Sequence, residues 1–450
     1  MKTIARQLTL WTLILAIHMG GSAFAQSWSE HVIYSPVAAT DNVVTVSLTA
    51  LPQDTALQRE PFYVAYEVDN GSTRSLYIKA WTGSPPFTPA VLIDSGLDGI
   101  YNPSITARLG HVTIAAHYQV PTCASGVLGL KEYDYDVKTG VIDSLRVIDA
   151  GAGCISVGHS HIVWSPGDST YHVCWTRKVG GITGDEVLCA RRAATDSAWG
   201  YYVNISNNAA NDQDHATIAI KPSGNYTRRI AYHDATTNSS DDTHEAILAM
   251  FKPSDARVDY LVPNGSASPQ SGWQDRPFIV VDADRKMHVV WEDGPLNDEV
   301  IKYVRCVNGT PGGCDQGQEW EFNNVAISEP GIDWARSPHM AIRYDRAWIS
   351  YEQRLLNAAV NKEVMVLHRC KTAALNQAWA RSDPYPADDR NEFTEEYGTP
   401  HIAVRAGVTS NGPHEVGTVA LREIPGTTQL GADFSQYEAI LYTALEPSCP

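Results

Sequence analysis

One segment design recurs along this chain, and such self-similarity constrains the fold before any single residue is interpreted. Residues 277–293 read PFIVVDADRKMHVVWED: an apolar run, a polar turn, and a second apolar run ending in an aromatic. The design returns at Pro338–Tyr351, Ala216–Tyr232, Ser160–Trp175 and Pro103–His117. The residues that close the second run are Tyr66, His117, Trp175, Tyr232, Trp291, Tyr351 and, in a degenerate copy, Ala420. They lie 51, 58, 57, 59, 60 and 69 residues apart in turn, which makes seven copies.

A third apolar run follows the marker, as at Leu76–Trp81, Glu186–Cys189, Glu245–Met250, Glu299–Tyr303, Glu363–Leu367 and Glu438–Tyr442. A fourth, weaker run often opens with tryptophan, at Trp199 and Trp320. The runs are short, rich in Val, Ile, Tyr and Trp, and bounded by Gly, Pro, Asn and Asp, which is the signature of strands. No capped stripe of helical period appears, so few helices are expected. Four short antiparallel strands per repeat, seven times over, predict an all-β, seven-bladed β-propeller. The last copy ends after three strands near Leu445, and Trp28–Tyr34 has the pattern of a fourth strand. The N-terminal strand is therefore expected to complete the last blade and leave no open edge in the ring.

Residues 1–25 read as a secretory signal: Lys2 and Arg6, an apolar stretch from Leu8 to Ile17, and Ala23-Phe24-Ala25 at the cleavage point. The apolar stretch is too short for a membrane span. Residues 26–450 then form a single propeller domain, secreted or periplasmic, not inserted in a membrane, and monomeric. Eight cysteines in an exported chain point to disulfides. Cys174 and Cys189 can cross a hairpin, Cys306 and Cys314 bracket a Gly-Pro loop, and Cys123 with Cys154 and Cys370 with Cys449 remain by proximity. No pair has the spacing of a zinc knuckle. The formal charge of −17, with basic residues spread out, argues against a nucleic-acid partner. No cofactor is required, and structural calcium is compatible with the acidic balance.

The start of strand one and the end of strand two meet at one end of the ring, around the central channel. There the copies differ. At the start of strand one stand Tyr101-Asn102, His159 with His161, Asp214-His215, Asp275-Arg276, Arg336 with His339, and Tyr397 with His401. After strand two stand Glu67, Tyr118, Arg177, His233-Asp234, Glu292-Asp293, and Glu352 with Arg354. With His117, which closes the second run of its copy, seven of the 15 histidines fall at these two positions. Some are expected only to satisfy buried backbone groups between blades, since strand-one residues alternate between channel and blade interior.

Three chemistries fit such a ring. In the first, His215, His233 and Tyr232 move protons and Arg276 neutralises a substrate carboxylate, the logic of a polysaccharide lyase. His159, His161, Arg336, His339, His401, Glu292 and Asp293 would then line the substrate site. In the second, Asp234, Glu292, Asp293 and Glu352 supply paired carboxylates for hydrolysis. In the third, several imidazoles hold a metal in the channel.

The 277–293 repeat, followed by Glu299-Val-Ile-Lys-Tyr-Val-Arg305, resembles the secreted sialidase-like propellers with BNR-type repeats. The resemblance covers about residues 60–445 and implies an extracellular glycan as partner. The chain departs from that family in two ways. Ser165-Pro-Gly-Asp168-Ser-Thr-Tyr171 lacks the Asp-box spacing, and Arg177, Arg276 and Arg336 lie in no recognisable arginine motif. A second resemblance is to propeller-fold lyases of the ulvan type, which place one His at the start of strand one and another at the end of strand two. His215 and His233 are similar to that pair. A non-catalytic glycan- or protein-binding ring is the alternative, with Trp81, Trp273 and Trp334 as rim aromatics. Unlike residues at 102, 159, 215, 276, 337 and 399 speak against repeated identical pockets.

Overall fold

In each of seven four-stranded antiparallel sheets, the strand that comes first in its repeat lies at one edge. These first strands span Asn42–Ala50, Ser104–Arg108, Val157–Ser165, Asn211–Lys221, Gln274–Val281, Ile332–Arg343 and His401–Arg405. Each contacts the first strand of the next blade, and the seventh returns to the first, so together they form a closed inner ring. The computed structural model describes residues 28–445 except 39, 51–60, 98–102, 124–126, 152, 179–183, 207–210, 222–226, 237–243, 252–256, 262–273, 295–297, 307–319, 323–325, 329–331, 344–345, 356–361, 371–378, 383–399, 406–414 and 425–435. Among the described residues every regular element is a strand.

The core is divided among the seven blade interfaces. One cluster joins Ile218, Ile230 and Tyr232 of the fourth blade to Val187 and Cys189 of the third. Another joins Val289 and Trp291 of the fifth blade to Ala231 and Leu248 of the fourth. Val290, between those two residues, faces the sixth blade instead, with Ile349 and Tyr351. Successive side chains of a strand point to opposite faces. With both faces buried, the second strands read as continuous apolar runs instead of alternating ones.

Buried polar pairs reinforce the interfaces. Arg192 of the third blade donates from Nε to Glu132 of the second at 3.0 Å, and Trp199 Nε1 donates to the same carboxylate at 2.6 Å. The inner strands, which share no ladder with each other, are stitched by side chains. Ser104 Oγ accepts the amide of Ile162 at 2.9 Å, and Thr217 Oγ1 donates to the carbonyl of Pro277 at 2.9 Å. His161 Nδ1 accepts the amide of Ile218 at 3.0 Å, and His339 Nδ1 that of Ile402 at 3.3 Å.

The last blade is completed by Ser29–Tyr34, which pairs antiparallel with Tyr437–Leu445. Disulfides join Cys123 to Cys154 and Cys174 to Cys189, the latter pair directly opposite in the ladder. Cys306 and Cys370 are also disulfide-bonded. Their expected partners, Cys314 and Cys449, lie outside the described residues. No helix among the described residues is long and apolar enough to cross a membrane.

Candidate active site

A cavity of about 620 Å³ opens inside the inner ring. Its wall takes residues from all seven inner strands, including Thr45, Ser104, His159, His215, Arg276, Ser337 and His401. The geometry of that wall comes from a repeated β-bulge. In the fourth blade Asp214 pairs with His233 and Thr217 with Ala231, leaving His215 and Ala216 opposite Tyr232. In the fifth, Arg276 and Pro277 lie opposite Trp291, and in the sixth, Ser337 and Pro338 lie opposite Tyr351. The third blade carries the corresponding shift around His159. A bulge re-aims one side chain out of the regular alternation.

The first bulge residue adopts a left-handed backbone, with φ of 50° at His215, 45° at Arg276 and 54° at Ser337. None of the three is glycine, so each position is strained and depends on its surroundings to hold it. Carboxylates supply part of that hold. Asp214 Oδ1 accepts the amide of His215 at 2.6 Å, and Asp275 Oδ1 that of Arg276 at 2.7 Å. Glu292 Oε1 accepts the amide of Ser337 at 2.5 Å.

The same carboxylates organise the side chains. His159 Nδ1 lies 2.8 Å from Asp214 Oδ1, and the His159 and His215 ring centroids are 4.0 Å apart. His215 Nδ1 is 3.3 Å from Asp275 Oδ1 and 3.7 Å from Asp214 Oδ2, and His233 Nδ1 is 3.6 Å from Asp275 Oδ1. Arg276 Nη1 reaches Glu292 at 3.3 Å and the Ser337 hydroxyl at 3.2 Å. Burial alone would depress the His215 imidazole, but Asp214 and Asp275 outweigh it and hold the ring above the ordinary histidine value. Burial would raise both aspartates, yet the neighbouring imidazoles hold Asp214 and Asp275 well below the usual carboxylate range. Burial pushes Glu292 up, against the opposing pull of Arg276.

Two residues further along the strands lies a different tier. His161, Phe278, His339 and His401 line the cavity with ring contacts of 5.2, 4.0 and 4.5 Å between successive members. Burial lowers His161 to about 4 and His401 to about 3, and it lowers His339 well below the ordinary value, so these rings are neutral at pH 7. The cavity thus has a charged tier and a neutral aromatic tier.

The expected site residues separate accordingly. His159, His161, His215, Arg276, His339 and His401 line the cavity. His233 sits behind them, 7% exposed, against Asp275. Tyr232 does not line the cavity. It is 1% exposed in the interface with the third blade, because the aromatic opposite each bulge is packed inward. Arg336 is buried against Glu299, with donor distances of 3.1 and 2.9 Å, over the ring of Trp334. Arg177 pairs with Asp149 at 3.4 Å. Of the three arginines considered, Arg276 lines the cavity and the other two do not.

Among the acids considered for hydrolysis, Glu292 is 4% exposed, Glu352 3% and Asp234 9%, while Asp293 is tied to Lys302 at 2.6 Å. None of the four lines the cavity. Trp81 and Trp334 are 2% and 1% exposed, which removes them as rim platforms for a sugar. Trp273, Tyr101, Asn102 and Tyr397 lie outside the described residues.

The organising residues Asp214 and Asp275 stand at the channel end in the sequence but carry no assigned role there, and Ser337 likewise carries none. The sequence carried a signal for them. Asp precedes the bulge residue at Asp214-His215 and Asp275-Arg276, and proline follows it at Arg276-Pro277 and Ser337-Pro338. Within sheets, proline is confined to edges, strand starts and bulges, so these dipeptides mark the irregularity. His159, Asp214 and His215, and separately His215, His233 and Asp275, bring ligand atoms within 4.8 Å of one another and could hold a metal ion.

In overall fold the chain is similar to an ulvan lyase. That lyase, of a new polysaccharide lyase family and bound to -[GlcA(1-4)Rha3S]-, superposes with a TM-score of 0.54 at 9% identity, covering 89% of this chain and 94% of the lyase. A second ulvan lyase structure gives 0.54 at 8% identity, covering 89% and 93%. A phage phi92 endosialidase gives 0.48 at 9% identity, covering 94% of this chain and 70% of its own. No protein-family model and no curated protein sequence matches the chain. These solved propellers act on carbohydrates, and identities this low establish likeness of fold alone.

Proposed function

We propose that this protein is a secreted carbohydrate-active propeller that cleaves a uronate-containing polysaccharide by elimination. The observation that carries this reading is the His159–Asp214 contact at 2.8 Å in a cavity that Arg276 also lines and that is open enough for sugar residues. Asp214 occupies Nδ1 of His159, which leaves Nε2 as the nitrogen available to a ligand. A histidine oriented in this way can act as general base near neutral pH.

Arg276 supplies the fixed positive charge that such a reaction needs. A uronate carboxylate held against it makes the adjacent C–H bond more acidic, because the electron density released by deprotonation spreads onto that carboxylate. His159 takes the proton, the bond to the departing glycosidic oxygen breaks, and a carbon–carbon double bond forms in the uronate ring. The imidazolium of His159 returns the proton to the departing oxygen. No water is consumed, so one product carries an unsaturated uronate. His215 borders the same space, and the neutral tier around Phe278 offers an apolar face to the neighbouring sugar.

The test is a screen of the purified protein against uronate polysaccharides, read by ultraviolet absorbance of the unsaturated product and by mass spectrometry. Activity lost in His159→Ala and retained in the peripheral variant His111→Gln supports the reading. Products carrying the mass of added water would replace elimination by hydrolysis. Full activity in His159→Ala would remove His159 as the base.

A further inference from the structure

The charged tier contains a group of atoms that elimination does not use. Nδ1 of His215 is buried and has no hydrogen-bond partner. It faces Asp275 Oδ1 at 3.3 Å and Asp214 Oδ2 at 3.7 Å, and His233 Nδ1 faces the same Asp275 oxygen at 3.6 Å. His215, His233 and Asp275 bring their ligand atoms within 4.8 Å of one another, and Asp214 stands beside His215. These separations are longer than hydrogen bonds between such groups normally are. Ligands around a tetrahedral ion with bonds of about 2.0–2.2 Å stand about 3.4 Å apart, which is the spacing seen here.

We propose that His215, His233 and Asp275, whose ligand atoms lie within 4.8 Å of one another, bind a divalent transition-metal ion of the zinc class. Two imidazoles and one carboxylate form a mixed nitrogen–oxygen set with a tetrahedral position to spare, which suits zinc and its neighbours; calcium prefers oxygen throughout. The surrounding contacts are those of a built site. The backbone amide of Arg276 holds Asp275 at 2.7 Å, and Asp214, itself fixed by His159 Nδ1 at 2.8 Å, flanks His215 at 3.7 Å. Such supporting bonds aim ligands at a metal and set its affinity. The site shares the cavity with the elimination proposed above but does not rest on it.

The experiment measures metal directly, on the full-length mature protein without a histidine tag, stripped by a chelator. Titration with zinc chloride by calorimetry, together with metal analysis after dialysis, should show one equivalent bound. Asp275→Asn and His233→Gln should each weaken binding at least tenfold, and His159→Gln, which touches only the supporting bond, should weaken it less. The separate surface group His111, Asp136 and Asp143 serves as control, and His111→Gln should leave the affinity unchanged. Circular dichroism of each variant separates loss of a ligand from loss of the fold. Absence of stoichiometric zinc in the folded parent overturns the proposal, as does binding that survives Asp275→Asn and disappears in His111→Gln. Neither outcome requires turnover, so failure of this site and failure of the elimination reading are told apart.

Discussion

Asp214 touches two histidines on two blades: its Oδ1 lies 2.8 Å from Nδ1 of His159 on the third blade, and its Oδ2 lies 3.7 Å from Nδ1 of His215 on its own. The carboxylate therefore fixes the relation between neighbouring blades at the cavity wall, as well as the tautomer of His159. Asp214→Asn keeps the size of the side chain but loses the charge. If the proposed elimination holds, turnover of a uronate polysaccharide should fall by about 10² or more with little change in KM, since orientation of the base is lost and substrate contacts are kept. Steady-state kinetics on the parent and the variant check this.

Acid should destabilise the protein through the neutral tier. His161 and His401 titrate near 4 and 3 when folded but at the ordinary value of 6.5 when unfolded. Between those limits the unfolded chain binds more protons, so stability is whole above pH 6.5 and declines as pH falls towards 4 and below. His401→Phe removes one of these groups, and melting temperatures from pH 7 to 4 should decline less steeply in that variant.

Glu67 should act in the opposite direction. It is fully buried, and burial raises its carboxyl well above the ordinary value despite Arg74 nearby. A raised folded value means that its protonated form stabilises the fold at low pH, and that this contribution is lost as pH rises through the folded value. Glu67→Gln should therefore raise the melting temperature at pH 8 and leave it almost unchanged at pH 4. For a chain of this size about 1 °C corresponds to 1 kcal/mol.

The second and third blades are joined by the Arg192–Glu132 pair, both of whose side chains are 0% exposed. Arg192→Ala removes the closer of two guanidinium partners of the buried Glu132, leaving Arg146 at 3.3 Å, and should cost about 1–3 kcal/mol of unfolding free energy. Arg192→Met in combination with Glu132→Leu should recover much of that loss. Urea unfolding of the three proteins would show whether the double variant remains as unstable as the single one, which would refute the account.

The ring was legible because its period is written in residues that pack. Trp175, Tyr232, Trp291 and Tyr351 recur where each second strand meets the preceding blade, and a buried aromatic leaves a clear mark in sequence. The site was legible only in outline, as a concentration of histidines where copies disagree. Tyr232 and His233 are neighbours in sequence but face opposite sides of a strand, one into the apolar interface and the other towards Asp275. Arg276 and Arg336 look equivalent by eye, yet the bulge places Arg276 in the cavity and leaves Arg336 one residue before its own bulge, paired with Glu299. A one-residue shift of register decides such cases, and the apolar pattern alone does not report it.

The bulge divides labour within each blade. The aromatic opposite it and the strand after it carry the packing, while the first bulge residue contributes almost nothing to the core. His159, His215, Arg276 and Ser337 occupy that position in four successive blades of one unbroken ring. Chemistry at the cavity wall is thus exchangeable one blade at a time, like keys on a fixed lock barrel. Descendants of such a chain can change substrate through a few of these positions while the architecture, and the stability it carries, stays as it was.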